Sequence, residues 1–195
     1  MRINDKSKLS GAGISVEIYI CFNFVFTANH TQERAMPGFS HIGAKGEIRM
    51  VDVSSKKNTD RIAVASGKVL MNPETLEIIE KNAAKKGNVL EAARIAGIMA
   101  AKKTPELIPM CHPLNISHIK INFEPDRNLS AVTIKATARI FGPTGVEMEA
   151  LAAVSVAALT IYDMCKSYDK GMIVTDICLL EKRGGKSGKF KRADA

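Results

Sequence analysis

Residues 141–170 read FGPTGVEMEALAAVSVAALTIYDMCKSYDK, and the architecture of the chain can be worked outward from them. Gly142 and Pro143 interrupt whatever precedes, and Thr144 is placed to N-cap a helix. Its hydroxyl can accept from a first-turn N–H, and Glu147 three positions on completes a capping box. Glu147 and Glu149 at the start and Lys166 near the end complement the helix dipole. Residues 150–162 carry no charge, with Ser155 and Thr160 as the polar positions. A helix that is apolar on nearly all sides is expected to be buried on nearly all sides. The run falls short of the ~20 residues that span a bilayer, and alanine supplies much of it. It reads as a long, buried, Ala-rich core helix with polar chemistry at both ends.

The end of the stretch changes character abruptly. At about 100° per residue, Asp163, Lys166 and Lys170 share one helix face, and Tyr162 lies one turn from Lys166. The bland reading is a surface i,i+3 ion pair worth a few tenths of a kcal/mol. The sharper one is a carboxylate and an ammonium held at a pocket mouth by a rigid element, a better platform for catalysis than a loop.

Upstream, residues 46–54 (GEIRMVDVS) read as a strand, and residues 61–71 alternate as a second, with Gly67 a candidate bulge. Asn72-Pro73-Glu74 starts a helix expected to run through residue 86 and stop at Gly87. Residues 89–103 form a second amphipathic helix, and TPELIP a short helical turn. Residues 116–126 and 129–141 alternate as two long strands joined at Asp126-Arg127-Asn128, an antiparallel hairpin. After the core helix, residues 171–180 form a last strand. The order β-β-α-α-β-β-α-β favours an α+β fold, an antiparallel sheet covered by helices. Residues 1–35 alternate between polar and apolar blocks unlike the remainder. Asp5, Glu17 and Glu33 argue against a transit peptide, and no clean cleavage site follows the apolar run. They are read as an N-terminal extension outside a domain at 36–195, whose basic tail starts at about residue 183.

The 195-residue chain carries a net charge of +8, which favours acidic partners, either nucleic acid or phosphorylated small molecules. From Glu181 onward, six Lys or Arg residues stand against Glu181 and Asp194. Aromatics make up 5% and tryptophan is absent, too little for base-stacking platforms. Cys21, Cys111, Cys165 and Cys178 show no CxxC spacing, which fits a reduced cytoplasmic protein better than a disulfide scaffold or zinc site.

His112, in LIPMCHPL, sits on a loop stiffened by Pro109 and Pro113. It is either structural or functional, and the Cys111-His112 pair is a poor chelate because adjacent residues seldom share one ion. GGKSG at 184–188 fails as a P-loop, since residue 180 is Leu where the first glycine belongs. A flexible basic segment that meets phosphates and a solvated tail remain as alternatives. Lys86 beside Gly87 reads equally as a helix end. Arg61 stands unremarkably at a strand start. Glu147 and Glu149 are capping acids by default that could also hold a polar substrate.

The strings MVDVS, KG after the first helix, ARIAGI with AAK, LIPMCHPL, TGVEMEAL through YDMCK, and GGKSG together resemble the molybdenum cofactor biosynthesis protein C family, the cyclic pyranopterin monophosphate synthases. The resemblance spans about residues 39–192. It implies a ferredoxin-like α+β subunit and a homohexamer, a trimer of dimers with active sites between subunits. It also implies a GTP-derived substrate, (8S)-3′,8-cyclo-7,8-dihydroguanosine 5′-triphosphate, rearranged to cyclic pyranopterin monophosphate with release of pyrophosphate. By the same resemblance Asp163, Lys166 and Lys86 are catalytic. Met110, Cys111, His112, Met148 and Glu149 line the substrate site. Thr144, Gly145, Glu147 and Arg61 lie near it, and Lys182 and Lys186 meet phosphates. No cofactor or metal ligand is implied, Mg²⁺ with the substrate phosphates being left open. Neither nucleic acid nor membrane is an expected partner.

Glu149 and Asp163 lie about 21 Å apart along one helix, at about 1.5 Å per residue. One small substrate cannot comfortably touch both from a single chain, so the two ends serve different sites or two chains build one. Two other classes compete. A basic nucleic-acid-binding module would bind any duplex in a salt-sensitive manner, and a structural assembly subunit would account for the Ala-rich helix. Neither explains polar residues gathered at both helix ends.

Overall fold

The computed structural model describes residues 48–193; the expected extension over residues 1–35, and the domain start at 36, lie outside them. The elements are β1 (Thr59–Leu70), α1 (Pro73–Glu80), α2 (Val89–Lys102), α3 (Thr104–Leu107), β2 (His118–Asp126), β3 (Ala131–Gly142), α4 (Glu147–Cys165), β4 (Ile173–Arg183) and β5 (Phe190–Lys191). The strands form one sheet in the order β2-β3-β1-β4-β5, antiparallel throughout. This is an α+β architecture, as the alternating strands and interleaved helices predict.

Strand alternation supplies one wall of the core. Ala63, Ala65 and Val69 of β1 and Val132, Ile134, Ala136, Ala138 and Ile140 of β3 point inward. They meet Ala150, Ala153, Val154, Ala157, Ala158 and Ile161 of α4, all fully buried. Small side chains on both surfaces let the helix lie close to the sheet, where dispersion contacts are densest. The β2–β3 turn is fixed by Asp126, whose Oδ1 accepts the N–H groups of Asn128 and Leu129 at 2.9 and 3.1 Å. Opposite Gly67, β4 slips register against β1. Asp176 there takes φ 55°, so the extra residue of the expected bulge sits on the partner strand.

Several expectations are corrected. Among the described residues of the expected first strand, 48–54, only Ile48 makes a bridge: Ser54 donates its backbone N–H and its hydroxyl to Asp52 Oδ1, and the local turn replaces strand pairing. The first helix stops at Glu80, because Asn82 enters the left-handed region at φ 52° and bends the chain away. Helix α4 starts with Val146 as N-cap and without a side-chain cap, so the Thr144–Glu147 capping box is not made. Nor is α4 buried all round, since Leu159 is 59% exposed on its outer side. The final strand runs on to Arg183, and the basic segment returns beside it as β5.

Register positions the polar residues. Thr59 of β1 pairs with Gly142 at the end of β3, and Ala63 with Lys182 of β4. Arg61, the turn into α4 and the end of β4 therefore converge on the N-terminal end of α4. The α1–α2 connection, with Lys86, reaches the other end.

Candidate active site

At the N-terminal end of α4, the turn 142–145 is clamped by Arg61. Its Nε donates to the Gly142 carbonyl at 2.9 Å and its Nη2 to the Pro143 carbonyl at 2.8 Å. The first two glycines of GGKSG serve this clamp rather than a P-loop. Gly184 and Gly185 adopt φ +99° and +75°, and a Cβ on either would collide with Asp60 or the Arg61 guanidinium. Beyond them Lys182 pairs with Glu147 at 3.2 Å and donates to Ser187 Oγ at 3.2 Å. Gly145 leaves room for the Glu147 carboxylate, which a Cβ there would displace.

Two cavities share this wall. The larger, about 850 Å³, is lined by Lys56, Lys57, Arg61, Lys182 and Lys186, with Glu147 as the carboxylate. The smaller, about 370 Å³, is lined by Met110, Cys111, His112, Met148 and Glu149. Lys56, Thr144, Gly145 and Glu147 belong to both. Five cationic side chains around one space form a site for a polyanion, and the adjoining space, edged by an acid, a thiol and an imidazole, suits a polar ring.

Hydrogen bonding and burial shape the polar groups of the second cavity. His112 Nε2 lies 2.8 Å from the Val51 carbonyl. A carbonyl can only accept, so Nε2 carries a proton and donates it to Val51. Glu149 is 3% exposed. Burial, which disfavours the carboxylate, lifts its pKa to about 7, and the Glu147 charge adds to the rise. Burial also raises the Cys111 thiol, with a contribution from Glu149, so Cys111 is a neutral thiol rather than a nucleophile near neutral pH.

The other end of α4 carries opposite electrostatics. Asp163 Oδ1 meets Lys166 Nζ at 2.7 Å, and Oδ2 meets Lys86 Nζ at 3.1 Å. Lys86 also donates to the Asp163 backbone carbonyl at 2.8 Å. Bonds from Lys166 and then Lys86 hold the Asp163 carboxyl below the ordinary carboxylate range. Asp163 in turn raises Lys166, so Lys166 keeps its proton. A cavity of about 430 Å³ beside them is lined by Lys86, Tyr162, Lys166, Ser167 and Lys170.

The structure thus divides the residues singled out from the sequence into two groups, one at each end of α4. Arg61, Met110, Cys111, His112, Thr144, Gly145, Glu147, Met148, Glu149, Lys182 and Lys186 gather at the start, and Lys86, Asp163 and Lys166 at the finish. Reading the sequence missed Lys56 and Lys57. Their adjacency was the available signal, masked by reading the preceding segment as a strand. Among the described residues, no group of three or more His, Cys, Asp or Glu side chains is placed to hold a metal ion.

Fold and cavities define an α+β protein suited to a small, phosphate-bearing molecule with a polar ring. The MoaC family model matches residues 50–185, and the chain belongs to that family. A protein of Desulfatibacillum aliphaticivorans named cyclic pyranopterin monophosphate synthase is 62% identical over 155 residues, 80% of this chain and 98% of its own length. One of the same name from Desulforapulum autotrophicum is 60% identical over 155 residues, 80% and 95% of the two chains. Another from Dinoroseobacter shibae is 59% identical over 156 residues, 80% and 99%.

Proposed function

We propose that the chain is a cyclic pyranopterin monophosphate synthase, a phosphorus–oxygen lyase of molybdenum cofactor biosynthesis. The observation that carries this reading is the joining of a cationic cavity to a ring-sized one across Lys56, Thr144, Gly145 and Glu147. A 5′-triphosphate attached to a cyclised dihydroguanosine needs that pair of neighbouring environments. Lys56, Lys57, Lys182 and Lys186 meet the phosphates, and Arg61 holds the turn that separates the two spaces. The purine-derived ring lies against Met110, Cys111, His112, Met148 and Glu149.

Rearrangement to the pyranopterin moves protons on and off ring atoms, and Glu149, with a pKa of about 7, can do both near neutrality. Closure of the cyclic phosphate then forms a bond from a sugar-derived hydroxyl oxygen to the α-phosphorus. The bond to the bridging oxygen breaks, and that oxygen leaves with pyrophosphate. Asp163 takes the hydroxyl proton, and Lys166 and Lys86 stabilise charge on the phosphoryl oxygens. No cofactor is required, because lysines supply the positive charge; Mg²⁺ can accompany the substrate phosphates.

Both carboxylates reach one substrate if two copies of the chain meet. We therefore read the protein as a homohexamer, a trimer of dimers with shared sites. The separation of Glu149 and Asp163 by about 21 Å of helix supports this, as do the exposed Ile95, Met99 and Leu159 on α2 and α4. The free thiols Cys111, Cys165 and Cys178 support a cytoplasmic setting.

The test is anaerobic addition of the cyclised dihydro-GTP to the full-length protein, following pyrophosphate. Release by the wild type that is lost in Asp163→Ala is expected. Folded wild-type protein that releases none would contradict the reading.

A further inference from the structure

We propose that Tyr168 is a positioning residue that holds Lys86 on Asp163, an inference that rests on the synthase reading for its kinetic consequence but not for its geometry. Lys86 lies in the irregular connection between α1 and α2, a segment with left-handed residues at Asn82 and Gly87 (φ 52° and 97°). The backbone–backbone bonds of this connection are local: Lys81, Asn82 and Ala83 donate to Glu77, Ile79 and Ile78, and Gly87 to Ala84. None reaches α4, so these backbone bonds do not fix the Lys86 peptide against that helix, although Ala84 of the connection is buried in the core.

The tie to α4 comes from Tyr168. Its hydroxyl accepts the Lys85 N–H at 2.8 Å, one peptide from Lys86. The ring packs partly buried against the core, and the Tyr168 N–H is fixed on the Cys165 carbonyl at 2.8 Å. A closed tether results: the end of α4 holds Tyr168, Tyr168 holds the Lys85 peptide, and Lys86 returns to Asp163 on the same helix. The neighbouring Asp169 fastens the other end of α1, accepting the Asn72 N–H on Oδ2 at 2.8 Å. Only the Tyr168 bond bears directly on Lys86. A lysine with its flexible stem needs such a fixed backbone to present its charge at one place.

Tyr168→Phe removes the hydroxyl and keeps the ring, so packing is retained. In the full-length protein, hydrogen–deuterium exchange of the Lys85 amide and competitive acylation of the Lys86 amine should both accelerate, and neither readout needs activity. In turnover, kcat should fall about fivefold with KM within about twofold, the size expected for one lost hydrogen bond acting through position. In a Lys86→Ala background the same change should have no further effect, because the residue being positioned is gone. Unchanged Lys86 acylation in Tyr168→Phe would overturn the proposal. So would a kcat loss that persists undiminished in the Lys86→Ala background. A wild type that releases no pyrophosphate would defeat the synthase reading instead, and the acylation result would still decide the role of Tyr168.

Discussion

The start and the finish of α4 each present a carboxylate, and their surroundings drive them apart. Glu149 is buried among apolar and weakly polar neighbours and holds its proton to about pH 7. Asp163 is exposed, with a lysine on each oxygen, and stays ionised far below that. One rigid helix thus supplies a group that can give or take a proton near neutrality and an ionised carboxylate with a lysine amine on each oxygen. Separated pKa values of this kind mark distinct acid–base roles. Burial raises Glu149, with the Glu147 charge adding to it, and bonds from Lys166 and Lys86 lower Asp163; both run against the helix dipole, which would favour the charged form at Glu149 rather than at Asp163.

Removing Lys166 probes the charged end and should have the largest effect. Lys166→Ala should lower kcat about a thousandfold with little change in KM, as for a group acting in the transition state. If affinity suffered instead, Lys166 would be a phosphate clamp. At the buried end, Glu149→Gln should lower kcat about a hundredfold and abolish any limb of the pH–rate profile near pH 7.

The same substitution has a stability signature with a definite sign. The folded protein keeps the Glu149 proton up to about pH 7, whereas the unfolded chain loses it near 4.5. The folded state therefore binds more protons across that window, and stability falls as pH rises through it. Between pH 4.5 and 7.5 the wild type should lose roughly 2–3 kcal/mol relative to Glu149→Gln, measured by urea unfolding. Parallel pH curves for the two proteins would remove the contrast between the helix ends.

The cationic cavity gives smaller effects. Lys182→Ala should raise KM about tenfold, and added salt should narrow the gap from wild type as surface charges are screened. It also frees Glu147 from its ion pair, so part of the loss reflects an unbalanced carboxylate. Gly185→Ala should cost about 1–2 kcal/mol of stability, because a side chain at φ +75° meets the Arg61 guanidinium. Urea unfolding measures it; an unchanged midpoint would mean that the GGKSG turn does not shape the site.

How much of this was legible from sequence depended on the range of the interaction. Strand alternation and the apolar run of α4 are local patterns, and they predicted β1 to β4 and the core helix within a few residues. The i,i+3 spacing of Asp163 and Lys166 is local too, and the pair forms as expected. The burial of Glu149 could not be read, because it depends on the 110–112 loop and the 51–56 segment folding over it. Glu149 therefore looked like a capping acid. Segment 46–54 failed for the same reason: its alternation suggested a strand, yet a turn at Asp52 and Ser54 and the bond from His112 to the Val51 carbonyl direct it across the cavities. The GGKSG segment reads from sequence as a tail or a phosphate-binding segment, because the reason for its first two glycines, Arg61, lies far upstream.

Whether two helix ends from different copies meet at one substrate is tested most directly by mixing inactive chains. Asp163→Ala and Glu149→Ala proteins would be unfolded together, refolded as mixed oligomers verified by mass, and assayed for pyrophosphate release. Shared sites predict recovery to about a quarter of wild-type activity, because random assembly of two chain types pairs both intact ends at about one site in four. Mixed oligomers as inactive as either parent would show that each chain uses its own two ends.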